Sequence, residues 1–387
     1  MSMDFGITDE QALLLDSIDE FFEQNPQFNE QYLKDCENRH VPIVEFKKAL
    51  LDAGFSMLGI PEEYGGTPVD IRTMCLVAEK IESHGFPSGM GAVLQIDDIL
   101  TFGTDEQKKL TMDLLLSNKK AFSLGFSEPQ SGSDSNAIAT SYERKNGKIV
   151  INGHKTFNTD GDRSEYMLCM ARDFSISEKA SRSITCFLVP MNASGVKTEP
   201  LHKLGQRTFS LCDVYFENVE VPESAMVGEE HKGFYVVMKN FELERLVIAA
   251  GSLGMATCAY NDALLYATQR EQFGQPIGNF QLIQEMLVKM RIMVDNMRNS
   301  VYRTAWEHDT GKSINVSAAL TKYYCAQSAF EVCDMAMQVM GGVGYSDDSR
   351  VSRLWRDARQ NRIAGGTDQI MIHVAGRALQ KEVASRR

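Results

Sequence analysis

Between Pro222 and Arg387 the chain carries a single proline, Pro276. Proline lacks the amide hydrogen an interior helical turn needs, so a stretch this free of it can hold long helices. Leu282, Met286, Met290, Met293 and Met297 recur there at helical spacing and predict one apolar stripe. Residues 234–387 therefore read as a helical bundle. Residues 1–121 also read as helical. Thr8-Asp9-Glu10-Gln11 forms a capping box ahead of Leu13, Leu14, Ile18, Phe21 and Phe22, and Thr104-Asp105-Glu106-Gln107 repeats that start signal. Ile60–Gly66 is a turn-rich loop between helical stretches.

Residues 122–233 differ. Lys148–Gly153, Tyr166–Met170, Ser183–Val189 and Val214–Val221 are short β-rich runs set apart by Gly, Asn and Asp turns. Strands with no helical pattern between them imply an antiparallel sheet or barrel and exclude a doubly wound fold. Helices, then a β domain, then helices is the expected order.

At 387 residues the chain is long enough for two or three packed units. Its net charge of −12 argues against nucleic acid or an anionic membrane as a main partner. No stretch is apolar for long enough to span a bilayer, and Met1-Ser2-Met3-Asp4-Phe5 lacks a basic, apolar signal, so a cytoplasmic location is expected. Cys36, Cys75, Cys169, Cys186, Cys212, Cys258, Cys325 and Cys333 form no CxxC pair and have no His-rich partner. They read as reduced, mostly buried thiols, with no metal site expected.

Five motifs carry the functional reading. They are Phe126-Ser127-Glu128-Pro129-Gln130-Ser131-Gly132-Ser133-Asp134, Lys155-Thr156-Phe157-Asn158-Thr159, Arg270-Glu271-Gln272-Phe273-Gly274, Gln338–Tyr345 and Ala364-Gly365-Gly366-Thr367-Asp368-Gln369. The cluster Gly341, Gly342, Gly344 is no Rossmann fingerprint, because it follows a helical stretch and not a strand. Taken alone it is a helix-ending turn, and Arg270 alone is a solvated cation. Arg350, Arg353, Arg356, Arg359 and Arg362 fall three apart and read as a solvated or interface face paired with Asp357.

In this order and spacing the five motifs resemble the acyl-CoA dehydrogenase family over essentially the whole chain, with bacterial crotonobetainyl-CoA reductases among the look-alikes. The resemblance implies an α+β fold: an N-terminal α-helical domain, a middle antiparallel β-barrel and a C-terminal four-helix bundle. It implies non-covalent FAD, an acyl-CoA or enoyl-CoA substrate, an electron-transfer flavoprotein as partner, and a homotetramer that shares FAD between subunits.

Carried over by motif, Phe126 and Ser127 face the flavin, and Ser133 meets both FAD and the CoA pantetheine. Phe157 stands where the family usually has Trp, and the resemblance implies that Thr159 bonds near flavin N5. The resemblance implies that Arg270, Phe273, Gln338, Gly341 and Gly342 hold the pyrophosphate and adenosine, and that Thr367 and Gln369 complete that site.

The chemistry needs a base for the α-proton. The family's usual Glu position is Gly365 here, so the base must come from elsewhere. Some relatives place that Glu directly before an Arg on another helix, as in Asn240-Phe241-Glu242-Leu243-Glu244-Arg245. Glu244 is therefore the expected base, Arg245 its support, and Gly365 with Gly366 the backbone beside the thioester, Gly365 N–H being an oxyanion donor. Glu242 points to a different helix face and is expected to be solvated. The same residues serve α,β-dehydrogenation or its reverse, 2-enoyl-CoA reduction. Asp97 and Asp98 interrupt an apolar run; capping or an interface bond is their expected role, with attraction of a cationic acyl tail the alternative.

Overall fold

A computed structural model describes residues 6–176 and 179–385. The opening Met1–Phe5 read above lies outside the described residues. The chain divides into two compact units, one built from 1–32, 57–93 and 242–387, the other from 33–56 and 94–241.

The first unit is helical. Its long helices are Phe241–Gln269, Gln281–Asp309, Asn315–Met340 and Asp368–Ser385, with Asp9–Gln24, Ile71–Ser83 and Arg350–Gln360 beside them. Thr8 caps Asp9–Gln24 as expected, its side chain accepting from Gln11 N–H while the Gln11 side chain accepts from Thr8 N–H. The predicted stripe needs correction. The buried face of Gln281–Asp309 is Met290, Val294, Met297, Val301 and Thr304, whereas Leu282 is 75 % exposed and Met286 and Met293 are half-buried. The helix is packed only beyond its first turns, so an apolar spacing that runs to its start overstates the burial.

The arginine row is solvated only in part, and its expected pairing with Asp357 is made by the buried Arg353. Arg353 is 6 % exposed, bonds both carboxylate oxygens of Glu30, and reaches Asp357 and the Gly85 carbonyl. Arg350 makes a two-point contact with Asp262, and Arg362 bonds Asp368. A planar guanidinium fork can be buried when its nitrogens find acceptors, as Nε, Nη1 and Nη2 of Arg353 all do.

The second unit carries an eight-stranded sheet: β1 (Phe122–Gly125), β2 (Ser141–Lys145), β3 (Lys148–Thr159), β4 (Tyr166–Arg172), β5 (Ile184–Pro190), β6 (Val196–Pro200), β7 (Leu211–Val221) and β8 (Met226–Val227). The spatial order is β6-β7-β3-β2-β4-β5-β8, with β1 also paired to β4. All four predicted runs are strands. The barrel is corrected: β6 and β8 remain edges and the sheet does not close. Nor is it purely antiparallel, since β1 pairs with β4 in parallel. One face packs Ile149, Ile151, Met167, Cys169, Phe187, Val189, Val214 and Phe216 into a core. All eight cysteines are free and buried.

Candidate active site

On the sheet unit, the motif at 126–134 is held against β3 by one buried ion pair. Lys155 Nζ donates to Glu128 Oε1 at 2.7 Å, and both side chains are sealed from solvent. Glu128 also accepts from the Ala139 N–H at 2.6 Å and the Thr140 N–H at 3.0 Å. Burial alone would raise the Glu128 carboxyl, but the Lys155 charge and these hydrogen bonds hold it below the ordinary range. Thr156 N–H donates to Ser127 O at 2.9 Å, which draws the two motifs together.

The strand is irregular where it meets that loop. Its register against β7 shifts between Lys155 and Asn158, a bulge that turns side chains out of the ladder. Phe157 adopts φ +58 and is 65 % exposed, and Thr159 is exposed beside it. A large apolar residue in the left-handed region, facing outward, is uncommon, and such strained positions cluster at ligand-binding sites. Phe126 packs edge-on against Phe241, ring centroids 5.9 Å apart, while Ser133 is exposed on the loop.

On the helical unit, Glu244 lies in the first turn of Phe241–Gln269. It is half-buried, and its carboxylate accepts no hydrogen bond among the described residues. Burial raises its pKa, and the Arg245 charge opposes this. Burial in turn lowers the Arg245 pKa, against the nearby Glu242 and Glu244 charges. Arg245 Nε donates to the Gly365 carbonyl at 3.4 Å, and Lys322 Nζ to the Gly366 carbonyl at 2.6 Å. Two cations thus hold the carbonyls of one loop.

Gly365 and Gly366 have φ +63 and +97, a region that suits glycine. A Cβ at 365 would come within 2.7 Å of Ile248 Cδ1. A Glu at this position would therefore strain the backbone and displace Ile248. Thr367 Oγ1 caps the next helix by accepting from Ile370 N–H, and Gln369 is exposed.

Two further places on this unit carry the remaining candidates. Arg270 leads into the strands Glu271–Gln272 and Gln275–Pro276, joined by a two-residue turn. Phe273 and Gly274 at its tip both have positive φ, so the ring is thrown outward and is 94 % exposed. Gln338, Gly341 and Gly342 lie at the exposed C-terminal end of Asn315–Met340, where Gly341 turns the chain at φ +60. No described hydrogen bond, ion pair or ring contact joins these two places to each other or to Glu244.

Glu242 accepts from Asn315 Nδ2 at 2.7 Å, so it has a protein partner where solvent was expected. Asp97 and Asp98 both accept from Asn240 Nδ2, and Asp97 also pairs with Lys239. Both lie inside the helix Met90–Phe102, so neither caps it, and both are committed to bonds within their own unit. Sequence reasoning missed Lys322. Its spacing from Ala318, Cys325 and Ala329 placed it on the buried face of its helix, which was the available signal.

Comparison with known proteins decides the family. Family models described as acyl-CoA dehydrogenase N-terminal, middle and C-terminal domains match residues 8–119, 123–219 and 231–380. The chain belongs to the acyl-CoA dehydrogenase family. It is 48 % identical to the probable acyl-CoA dehydrogenase YdiO of Escherichia coli over 382 residues, 98 % of this chain and 99 % of the relative. The structure of butyryl-CoA dehydrogenase from Megasphaera elsdenii matches 98 % of this chain and 100 % of that one, with a TM-score of 0.89 and 30 % identity. A chain in work on the electron transferring flavoprotein of Acidaminococcus fermentans matches 97 % of this chain and 99 % of its own length, TM-score 0.89, 30 % identity.

The acyl-CoA dehydrogenases are FAD-dependent oxidoreductases, and this chain is one of them. Its residues fit a flat, phosphate-bearing group. On the sheet unit Phe157 is an outward-facing ring in left-handed backbone; on the helical unit Phe273 is another, and the exposed Arg270 guanidinium makes no ion pair among the described residues. Among those residues no helix is long and apolar enough to cross a membrane.

Proposed function

We propose that this acyl-CoA dehydrogenase takes the α-proton of an acyl-CoA thioester with Glu244. The supporting observation is a half-buried carboxylate, its pKa raised by burial and with no hydrogen-bond donor of its own among the described residues, next to the arginine that bonds the Gly365 carbonyl. Desolvation makes the carboxylate a stronger base, and an unbonded oxygen leaves room for a carbon acid. Bound FAD supplies the acceptor for the β-hydride.

The remaining roles fall to the chain. Arg245 and Lys322 fix the loop, so that the Gly365 N–H, which donates no hydrogen bond among the described residues, can meet the thioester oxygen as negative charge develops there. Arg245 and Gly366 belong to the substrate side of the site, and Ser133 to both substrate and FAD. Phe126, Ser127, Phe157 and Thr159 form the flavin face. Arg270, Phe273, Gln338, Gly341, Gly342, Thr367 and Gln369 hold the pyrophosphate and adenosine. Arg270 and Gln338 lie apart from Glu244 in one chain, which favours their serving the FAD of a neighbouring copy in a homotetramer. An electron-transfer flavoprotein as acceptor is in keeping with the flavoprotein work in which one structural neighbour occurs. The same Glu244 would protonate Cα if the flux ran toward 2-enoyl-CoA reduction.

The test is Glu244→Gln, prepared with FAD and mixed anaerobically with an acyl-CoA panel. Loss of flavin bleaching by a factor of about 10²–10⁴ at unchanged FAD content is expected. Bleaching at the wild-type rate would remove Glu244 as base.

A further inference from the structure

A second carboxylate of the helical unit has no part in that mechanism. Glu82 lies in the last turn of Ile71–Ser83. Its Oε1 accepts from the Ser88 N–H at 3.4 Å and the Ser88 hydroxyl at 3.2 Å, while Oε2 accepts no hydrogen bond among the described residues. Arg353, the cation acting on it, is already committed to Glu30, Asp357 and the Gly85 carbonyl. Burial raises its pKa to about 7, with Ser88 opposing.

The helix Phe241–Gln269 is hollowed where Glu82 meets it. A Cβ at Gly251 would lie 2.8 Å from Glu82 Oε1, and one at Gly254 would lie 2.6 Å from Glu82 Cβ. Each interior glycine costs a helix roughly 0.5–1 kcal/mol relative to alanine; Gly254 lets the backbone at Glu79 approach, its O lying 2.5 Å from such a Cβ, and Gly251 makes room for the Glu82 carboxylate.

Gly251 follows Glu244 by seven residues. At about 100° and 1.5 Å per residue, the two share a helix face and stand about 10 Å apart along it. Ile248 lies between them on that face and reaches the loop at Gly365. On the reading that Glu244 is the base, an acyl chain with its α-carbon there would run down this face past Ile248 toward Glu82.

We propose that Glu82 is a specificity-determining residue for the distal end of the acyl chain, and that the substrate class is an acyl-CoA carrying a hydrogen-bond donor, hydroxyl or ammonium, at that end. A methyl end would leave Oε2 desolvated and unmatched, which disfavours plain alkyl chains. The inference rests on Glu244 being the base.

The experiment compares a medium-chain acyl-CoA with its ω-hydroxy and ω-amino analogues, reading kcat/KM from anaerobic bleaching of FAD-loaded enzyme. The wild type is expected to favour at least one polar-ended analogue about tenfold or more. Glu82→Ala is expected to bring that ratio to about one or below. Glu82→Gln, which preserves shape, should keep any hydroxyl preference and lose any ammonium preference, and it carries the test if the alanine variant does not fold. A wild type that prefers the methyl end, or a ratio unchanged by either substitution, overturns the proposal. If Glu244→Gln is inactive while the Glu82 ratios stay fixed, only this proposal fails; an active Glu244→Gln removes the base reading on which it stands.

Discussion

Lys155 and Glu128 form an ion pair at 2.7 Å with both side chains out of reach of solvent. Removing one partner leaves a buried charge without compensation, which typically costs about 3–5 kcal/mol. Lys155→Met should destabilise the fold by that much, measured by denaturant unfolding, and Lys155→Met with Glu128→Gln should recover part of it. The Glu128 pKa is depressed in the folded protein, so its stabilising contribution is full above the unfolded value and is lost as pH falls through the folded one. Wild-type stability should therefore drop on acidification more steeply than that of the double variant. Equal slopes would remove the pair from its role.

The Glu244 carboxyl is raised by burial and lowered by Arg245. A base must be ionised, so kcat/KM should fall on acidification through a pKa above the ordinary carboxylate value of about 4.3. Arg245→Met removes the opposing charge and should move that acid limb further up. Measuring kcat/KM against pH in both proteins at equal FAD content decides it. An arginine that only braces the loop would lower the rate without moving the limb.

Phe273 rides the tip of a two-residue turn at 94 % exposure, where truncation has little packing to lose. Phe273→Ala should shift unfolding by less than about 0.5 kcal/mol. Loss of a ring stacked on a flat base typically costs about 1–3 kcal/mol of binding, roughly tenfold or more in Kd. Titration of apoenzyme with FAD measures it, and an unaltered Kd would show that the ring covers something else.

Much of this architecture could be read from the residues because local rules determine it. The capping box at Thr8 forms as its residue types require, and the four β-rich runs pair because alternation and turns agree. Sheet closure was not legible, since it depends on register and shear between strands far apart in sequence. The exposure of Leu282 was likewise hidden: helical spacing reports a face but not how far its neighbours extend along it. At the site, the Glu244-Arg245 pair stood out through its adjacency, whereas Lys322 on the Gly366 carbonyl and Glu82 at Gly251 depend on helices brought together only by folding.

The same tertiary origin makes Glu82 a sensor of pH in the folded state. Burial raises its pKa to about 7, against an unfolded value of about 4.3, with Asp357 adding to the rise and Ser88 and Arg353 opposing it. Between those values the folded protein binds a proton that the unfolded chain does not. Ionising Glu82 therefore opposes folding increasingly as pH rises through that window, and the penalty is fully present above about 7. Glu82→Gln cannot ionise. Its melting temperature should match that of wild type near pH 5 and exceed it near pH 8, where a carboxylate would otherwise be charged against Gly251. Scans across that range, on FAD-loaded protein without substrate, provide the measurement. A difference that stays constant with pH would show that the carboxyl keeps one protonation state throughout, and that the space at Gly251 serves packing alone.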